Sequence, residues 1–181
     1  MKSNERFFAV SLIVDSAVGP AARHGLNKIR LALQGKGISF EEIGILEAAR
    51  GDTLIVAGLG GKSNAAAELL KSSGIFSPFI KGGRGDLTPV GAESLLIRHT
   101  ECMGKKTLLV GGGDDRGLMY ALLDVADRIG WASDPKNPLN EVKDAVEQPA
   151  VVERALSIYT MSRTHFESFF YNEDYWAKYL D

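Results

Sequence analysis

The sequence has 181 residues, 24% of them charged, and a formal net charge of −2. This length predicts one domain of ordinary size with a substantial core, and the near-neutral charge gives no reason to expect nucleic acid or an anionic membrane as a partner. The single cysteine, Cys102, excludes an internal disulfide.

The N-terminal segment shares some features with a signal peptide, because Lys2 and Arg6 precede a short apolar run. However, Glu5 lies in the basic region, Asp15 directly follows the run, and no clean cleavage site comes after it. We therefore predict a first buried strand at Phe7–Val14. These features do not fix the compartment, and a secreted or periplasmic location stays open. No other segment has the length of a membrane span.

The first half of the chain has the pattern of an α/β domain. Pro20 suits the first turn of a helix, which we expect to end at Gly35 and Gly37. Four apolar residues follow Pro20 at helical spacing: Ala22, Leu26, Ile29 and Leu33. A weak strand at Ile38–Ile45 and a central strand at Thr53–Ala57 complete a strand–helix–strand pattern.

The middle of the chain predicts a further helix and a pair of strands. Ser63 is a suitable N-cap for the helix SNAAAELLKS, and residues 74–92, rich in glycine and proline, predict a surface excursion. Glu93–Arg98 and Thr107–Val110 then predict two antiparallel strands separated by a loop around Gly104. The predicted fold class is α/β (α+β), a mixed β-sheet with helices packed on it.

The segment from Lys106 to Trp131 predicts a buried strand, a glycine turn and a long helix. Apolar residues recur along it at helical spacing: Leu118, Ala121, Leu122, Val125, Ala126 and Ile129. Asp114 or Asp115 is placed to cap the helix, and Gly130 is a natural stop.

A strand, glycine turn and helix also raise the possibility of nucleotide binding. The spacing G-x-G-x-x-x-G argues against it, because Arg116 occupies the position of the third glycine of the dinucleotide fingerprint. Two neighbouring carboxylates, Asp114 and Asp115, would repel a pyrophosphate, and a P-loop lysine is absent from the sequence. A capped turn is favoured, and anion binding by the Gly111–Arg116 turn stays open as an alternative.

The C-terminal part changes in composition twice. Residues 132–150 contain three prolines, many charges and no aromatic residue, which predicts a linker or exposed arm. Val151–Met161 then predicts a strand and Glu173–Asp181 the start of a helix. Eight of the fifteen aromatic residues fall within 151–181. Either the tail folds back on the α/β domain and covers these rings, or, as we favour, a partner surface or a second copy of the chain covers them.

The stretch GGGDDRGLMYALLDVADRIG resembles the last strand and helix of the small α/β domain that precedes the catalytic barrel in α-glucuronidases and β-N-acetylhexosaminidases. ISFEEI, TLIVAGLGG and ESLLIRHTE follow the order which that domain would require, and the tail from residue 151 looks like the first strand and helix of the barrel. The resemblance implies a zincin-like hexosaminidase accessory-domain architecture at 1–131, a linker at 132–150 and a truncated TIM barrel at 151–181.

The resemblance also implies where a sugar would be bound. Arg154 matches an arginine of the barrel's first strand that binds sugar hydroxyls, and Arg163 and His165 resemble a basic and histidine pair just after that strand. In β-N-acetylhexosaminidases a glycine follows this arginine, whereas this chain has Ala155. Glycoside hydrolysis needs two carboxyl groups, or one together with the acetamido group of the substrate, and these acids come from later barrel strands.

We therefore expect no catalytic residue, cofactor or metal site in this chain, since no metal-ligand spacing or nucleophile motif appears. The leading hypothesis is a non-catalytic domain of a glycoside hydrolase, which packs against a catalytic barrel and reaches carbohydrate only through the parent protein. The alternatives are a complete small α/β protein that binds an anion or nucleotide through Gly111–Arg116, and a free-standing sugar-binding module that uses Trp176.

Overall fold

The structure is a computed structural model that describes residues 9–15, 18–60, 65–72, 91–134, 137, 139–151, 153–155 and 172–180. The chain divides into two compact units, Met1–Pro149 and Ala150–Asp181. The described part of the first unit contains a β-sheet with helices on both faces, and that of the second contains one helix.

The described residues form one sheet of six strands: β1 (Val10–Val14), β2 (Phe40–Ile43), β3 (Thr53–Leu59), β4 (Leu95–Cys102), β5 (Lys105–Gly112) and β6 (Ala145–Glu147). Their order across the sheet is β2-β1-β3-β5-β4-β6. The first four in this order are parallel, whereas β4 is antiparallel to β5 and β6. The predicted mixed sheet is confirmed, as is the antiparallel pairing of β4 with β5.

The two faces of the sheet are covered by different helices. Helices α1 (Pro20–Gly35) and α3 (Asp115–Trp131) pack on one face, over alternate strand residues such as Leu12 and Leu108. Helix α2 (Ala65–Ser72) packs on the other face, over Leu54 and its neighbours. Because both faces are covered, the central strand β3 is buried along almost its whole length, which explains its continuous apolar sequence.

Helices α1 and α3 approach each other closely at Gly25. A Cβ atom added at Gly25 would lie 2.7 Å from the Cβ of Leu122. A glycine inside a helix costs about 1 kcal/mol relative to alanine. Close helix–helix packing therefore explains the glycine at this position. The apolar residues of α1 did not predict this contact.

The element boundaries follow the predictions with some differences. Helix α1 begins at Pro20 and ends at Gly35, as expected. The weak second strand is limited to Phe40–Ile43. β4 and β5 are longer than predicted and are joined by a two-residue turn, in which Met103 and Gly104 both have positive φ, as tight hairpins require. The predicted N-cap Ser63 and most of the excursion at 74–92 lie outside the described residues.

The segment 132–150 is not the linker that its composition predicted. Its described residues include strand β6, which pairs with β4, and the buried side chains of Leu139 and Val142 belong to the main core. The expected stop at Gly130 was also wrong, since α3 continues to Trp131 and a Cβ at Gly130 would meet nothing within 4 Å. Prolines and charges predict an exposed path but do not exclude a short edge strand.

The described part of the second unit contains helix α4 (Glu173–Leu180), which agrees with the predicted helix start. The strand predicted at Val151–Met161 is not found at residues 151 and 153–155, and the remainder lies outside the described residues. None of the helices in the described part of the chain is long and apolar enough to cross a membrane.

Candidate functional site

The two carboxylates of the glycine turn are both engaged within the fold. Asp114 caps its own helix: its Oδ1 accepts a hydrogen bond from the Gly117 amide at 2.8 Å, and its Oδ2 accepts one from the Glu93 amide at 3.0 Å. Asp115 instead caps α1. Its Oδ1 accepts from the Gly19 amide at 2.7 Å, and its Oδ2 accepts from Ala21 and Ala22 at 3.0 and 3.3 Å.

The glycines around this turn are required by close packing. A Cβ atom at Gly112 would collide with the backbone of α3 at the Leu118 amide. One at Gly113 would collide with the Gly91 carbonyl, and one at Gly117 with the Ser94 carbonyl. The spacing that resembles a nucleotide motif therefore serves to seat the first turn of α3 against residues 91–94, and the geometry gives the anion-binding alternative no support.

This interpretation makes a prediction for Gly113→Val. The substitution is expected to lower the free energy of unfolding by about 2 kcal/mol or more, because the new side chain overlaps the Gly91 carbonyl and Ser94 Oγ. Chemical denaturation would measure it, with Gly130→Val as the matched control, since that site is open. Calorimetry with inorganic phosphate completes the test. Phosphate binding by the wild type that disappears in an equally stable Gly113→Val variant would contradict the packing explanation.

Of the three sugar-binding residues implied by the resemblance, only Arg154 lies among the described residues. Arg154 is exposed, and its Nη1 donates a hydrogen bond to the Val151 carbonyl at 2.8 Å. Arg163 and His165 lie outside the described residues. Their grouping at a sugar site thus stays a prediction.

Helix α4 carries a cluster of three aromatic rings. Asn172 Oδ1 caps the helix by accepting from the Tyr175 amide at 3.0 Å. Tyr175 and Tyr179 stack with centroids 6.0 Å apart, and Trp176 meets both rings edge-on. Since Tyr179 follows Tyr175 by four positions and Trp176 by three, its contacts with both rings follow from helical spacing.

A cleft of about 450 Å³ lies at the carboxyl ends of β1 and β2, beside α1. Its lining combines charged and apolar residues: Val14, Asp15, Val18, Arg23, Leu26, Arg30, Glu42, Ile43 and Gly44. Arg23, Leu26 and Arg30 are spaced by three and four residues, which places them on one side of α1. This site was not predicted from the sequence, although the spacing of Arg23, Leu26 and Arg30 can be seen in the sequence.

The charges of the cleft are partly paired. Arg30 donates from Nε and Nη2 to the two carboxylate oxygens of Glu42, at 2.7 and 2.8 Å. These hydrogen bonds raise the pKa of Arg30 above its ordinary value. Arg23 is exposed, and none of the described side chains forms an ion pair or hydrogen bond with its guanidinium group. The cleft therefore presents one guanidinium group that is open to a ligand.

A second, smaller crevice of about 70 Å³ lies near the other end of the sheet, beside His99. The His99 ring Nδ1 and its backbone amide both lie within 2.9 Å of Asp144 Oδ1. Burial tends to raise the pKa of Asp144, but the hydrogen bonds from His99 outweigh it and lower this pKa. The pair joins the segment before β6 to β4, and the crevice is much smaller than the usual small-ligand site.

The remaining candidate groups show no site chemistry. Burial, assisted by the charge of Glu47, raises the pKa of the Cys102 thiol, which opposes a role as a nucleophile. Within the described ranges, no three His, Cys, Asp or Glu side chains are arranged to hold a metal ion.

Comparison with solved structures finds a similar fold in a GH138 enzyme. No family model and no curated protein matches the sequence. The structure resembles that of a GH138 enzyme targeting pectin rhamnogalacturonan II, with a TM-score of 0.56 and 17% identity over 95% of this chain and 22% of that chain. A structure of CpGH84D matches with a TM-score of 0.46 and 12% identity over 62% of this chain and 16% of that chain, which is too low to carry an argument. At such identities the likeness is one of fold alone.

Proposed function

We propose that this chain is the accessory α/β domain of a glycoside hydrolase together with the first elements of the catalytic barrel that it packs against. The observation that carries the proposal is the extent of the match to the GH138 enzyme. That match covers 95% of the chain, whereas the first unit ends at Pro149, so the likeness extends into the second unit. The sequence resemblance implies a sheet domain that is followed by the first strand and helix of a barrel.

The role of the first unit in this proposal is structural. Both turn carboxylates cap helices, and both oxygens of Glu42 are held by Arg30. Glycoside hydrolysis uses one carboxyl group as acid and another group as nucleophile or base on opposite sides of the scissile bond. In this proposal, later barrel strands supply that pair, because the catalytic residues of such barrels collect at the strand ends.

Two measurements test the proposal. The natural reading frame is expected to encode further βα units after residue 181, and the protein that contains them is expected to hydrolyse at least one member of a panel of aryl glycosides. The 181-residue chain is expected to leave the same panel unchanged. A reading frame without barrel units, or hydrolysis by the 181-residue chain that Glu42→Gln abolishes, would overturn it.

A further inference from the structure

We propose that the cleft between α1 and β2 binds a sugar that carries a carboxylate group, with Arg23 receiving that carboxylate. The cleft volume of about 450 Å³ lies within the usual range of small-ligand sites. The cleft lies at the carboxyl ends of the parallel strands β1 and β2. The charge and polarity of the ligand follow from the residues of the lining.

The lining favours a ligand with a single negative charge. Arg30 is already neutralised by Glu42 through two hydrogen bonds, whereas Arg23 is exposed on the same side of α1. A guanidinium group forms two parallel hydrogen bonds with a carboxylate, which gives both strength and orientation. Asp15 and Glu42 also line the cleft, and their carboxylates disfavour a doubly charged phosphate more than a monoanion.

The rest of the lining suits a polyol. Each oxygen of Glu42 accepts one hydrogen bond from Arg30 and keeps a second lone pair that can accept a hydrogen bond from a hydroxyl group, and the carboxylate of Asp15 is a further acceptor in the lining. Val14 and Ile43 are partly exposed and supply an apolar surface against which the C–H face of a sugar ring can lie, whereas Val18 and Leu26 also line the cleft but are almost fully buried. A sugar acid of the uronate type combines hydroxyl groups, an apolar ring face and one carboxylate. The choice of a sugar over another hydroxy acid rests on the proposed function.

The test uses the 181-residue chain and measures binding of glucuronate, galacturonate, the neutral sugars glucose and galactose, and inorganic phosphate, by calorimetry or NMR titration. At least one uronate is expected to bind at least tenfold more tightly than its neutral counterpart and than phosphate. Arg23→Gln is expected to weaken uronate binding at least tenfold, and Arg23→Lys to weaken it less, because lysine keeps the charge without the planar fork. Circular dichroism checks that each variant is folded.

Lys143→Gln is the matched control, since it removes one positive charge from an exposed residue outside the cleft and is expected to change the affinity less than twofold. Equal affinities for uronate and neutral sugar, tighter binding of phosphate, no binding of either uronate, or equal effects of the two glutamine variants would each overturn the inference. This inference is tested by uronate binding to the 181-residue chain, whereas the proposed function is tested by hydrolysis with the longer protein. Failure of one can therefore be distinguished from failure of the other.

Discussion

Replacing Asp115 with alanine is expected to lower the free energy of unfolding by about 2 kcal/mol. The substitution removes all three hydrogen bonds that its carboxylate accepts from the amides of Gly19, Ala21 and Ala22 at the start of α1. α1 lacks a side-chain cap at its own N-cap position, Gly19, and has no acidic residue in its first turn. Asp115 therefore supplies both the cap and the negative charge that a helix N-terminus favours.

The loss is to be measured by urea denaturation at neutral pH, with Asp127→Ala as the control. Asp127 is an exposed aspartate on the same helix, and its replacement is expected to change stability by no more than about 0.5 kcal/mol. Equal effects of the two substitutions would show that the contact between Asp115 and α1 contributes nothing specific.

Asp115 also shows which contacts a local sequence pattern can predict and which it cannot. The sequence predicted that one of the two adjacent aspartates caps α3, and Asp114 does so. The partners of Asp115 lie more than 90 residues earlier in the chain, at the start of a different helix. Helical spacing and capping rules depend only on neighbouring residues, whereas this contact exists only once α1 and α3 lie side by side on the sheet.

The edge strand β6 was not predicted, although it is formed by neighbouring residues of the chain. Helices α1 and α3 were predicted because their apolar residues repeat at helical spacing, and strands β1, β3, β4 and β5 were predicted because each contains a short apolar run. β6 has three residues and pairs with β4 only, so its pattern is too short to outweigh the surrounding prolines and charges. The cleft beside α1 was missed for a related reason, since its lining comes from three separate segments that only the parallel pairing of β1 with β2 brings together.

Glu41 lies in β2, the strand with the weakest sequence pattern. The pattern is weak because a charged residue, Glu41, is buried in it. Its side chain is only 6% exposed, yet its Oε1 accepts hydrogen bonds from Ser11 Oγ at 2.7 Å and from the Arg50 amide at 2.6 Å. Its Oε2 accepts two from the Arg50 guanidinium group, at 3.0 and 2.8 Å. A glutamate that is buried in a short edge strand breaks the expected alternation, and only its distant partners make the position favourable.

Glu41→Gln is expected to lower the free energy of unfolding by about 2 kcal/mol at pH 7, because an amide group must turn one or more donors toward the donors of Ser11 and Arg50. The Arg50 side chain is 64% exposed, so solvent screens part of its ion pair with Glu41. The loss therefore comes from the whole set of hydrogen bonds at this buried side chain, because the amide has one acceptor oxygen in place of two and carries no charge. Glu42→Gln is the matched control on the same strand. The Arg30–Glu42 pair is about one-third exposed, and its loss is expected to cost less than about 1 kcal/mol.

The cost of Glu41→Gln should also depend on pH. Burial tends to raise the pKa of Glu41, but the hydrogen bonds from Arg50 and Ser11 together outweigh it, so this pKa lies below its ordinary value. A carboxylate with a lowered pKa stabilises the fold fully above its unfolded pKa of about 4.3, and this contribution is lost as the pH falls through the folded pKa. The stability difference between wild type and Glu41→Gln is thus expected to be constant near neutrality and to narrow in acid. Urea denaturation across this pH range measures it, and a difference that stays constant into acid would mean that the charge of Glu41 does not stabilise the folded state.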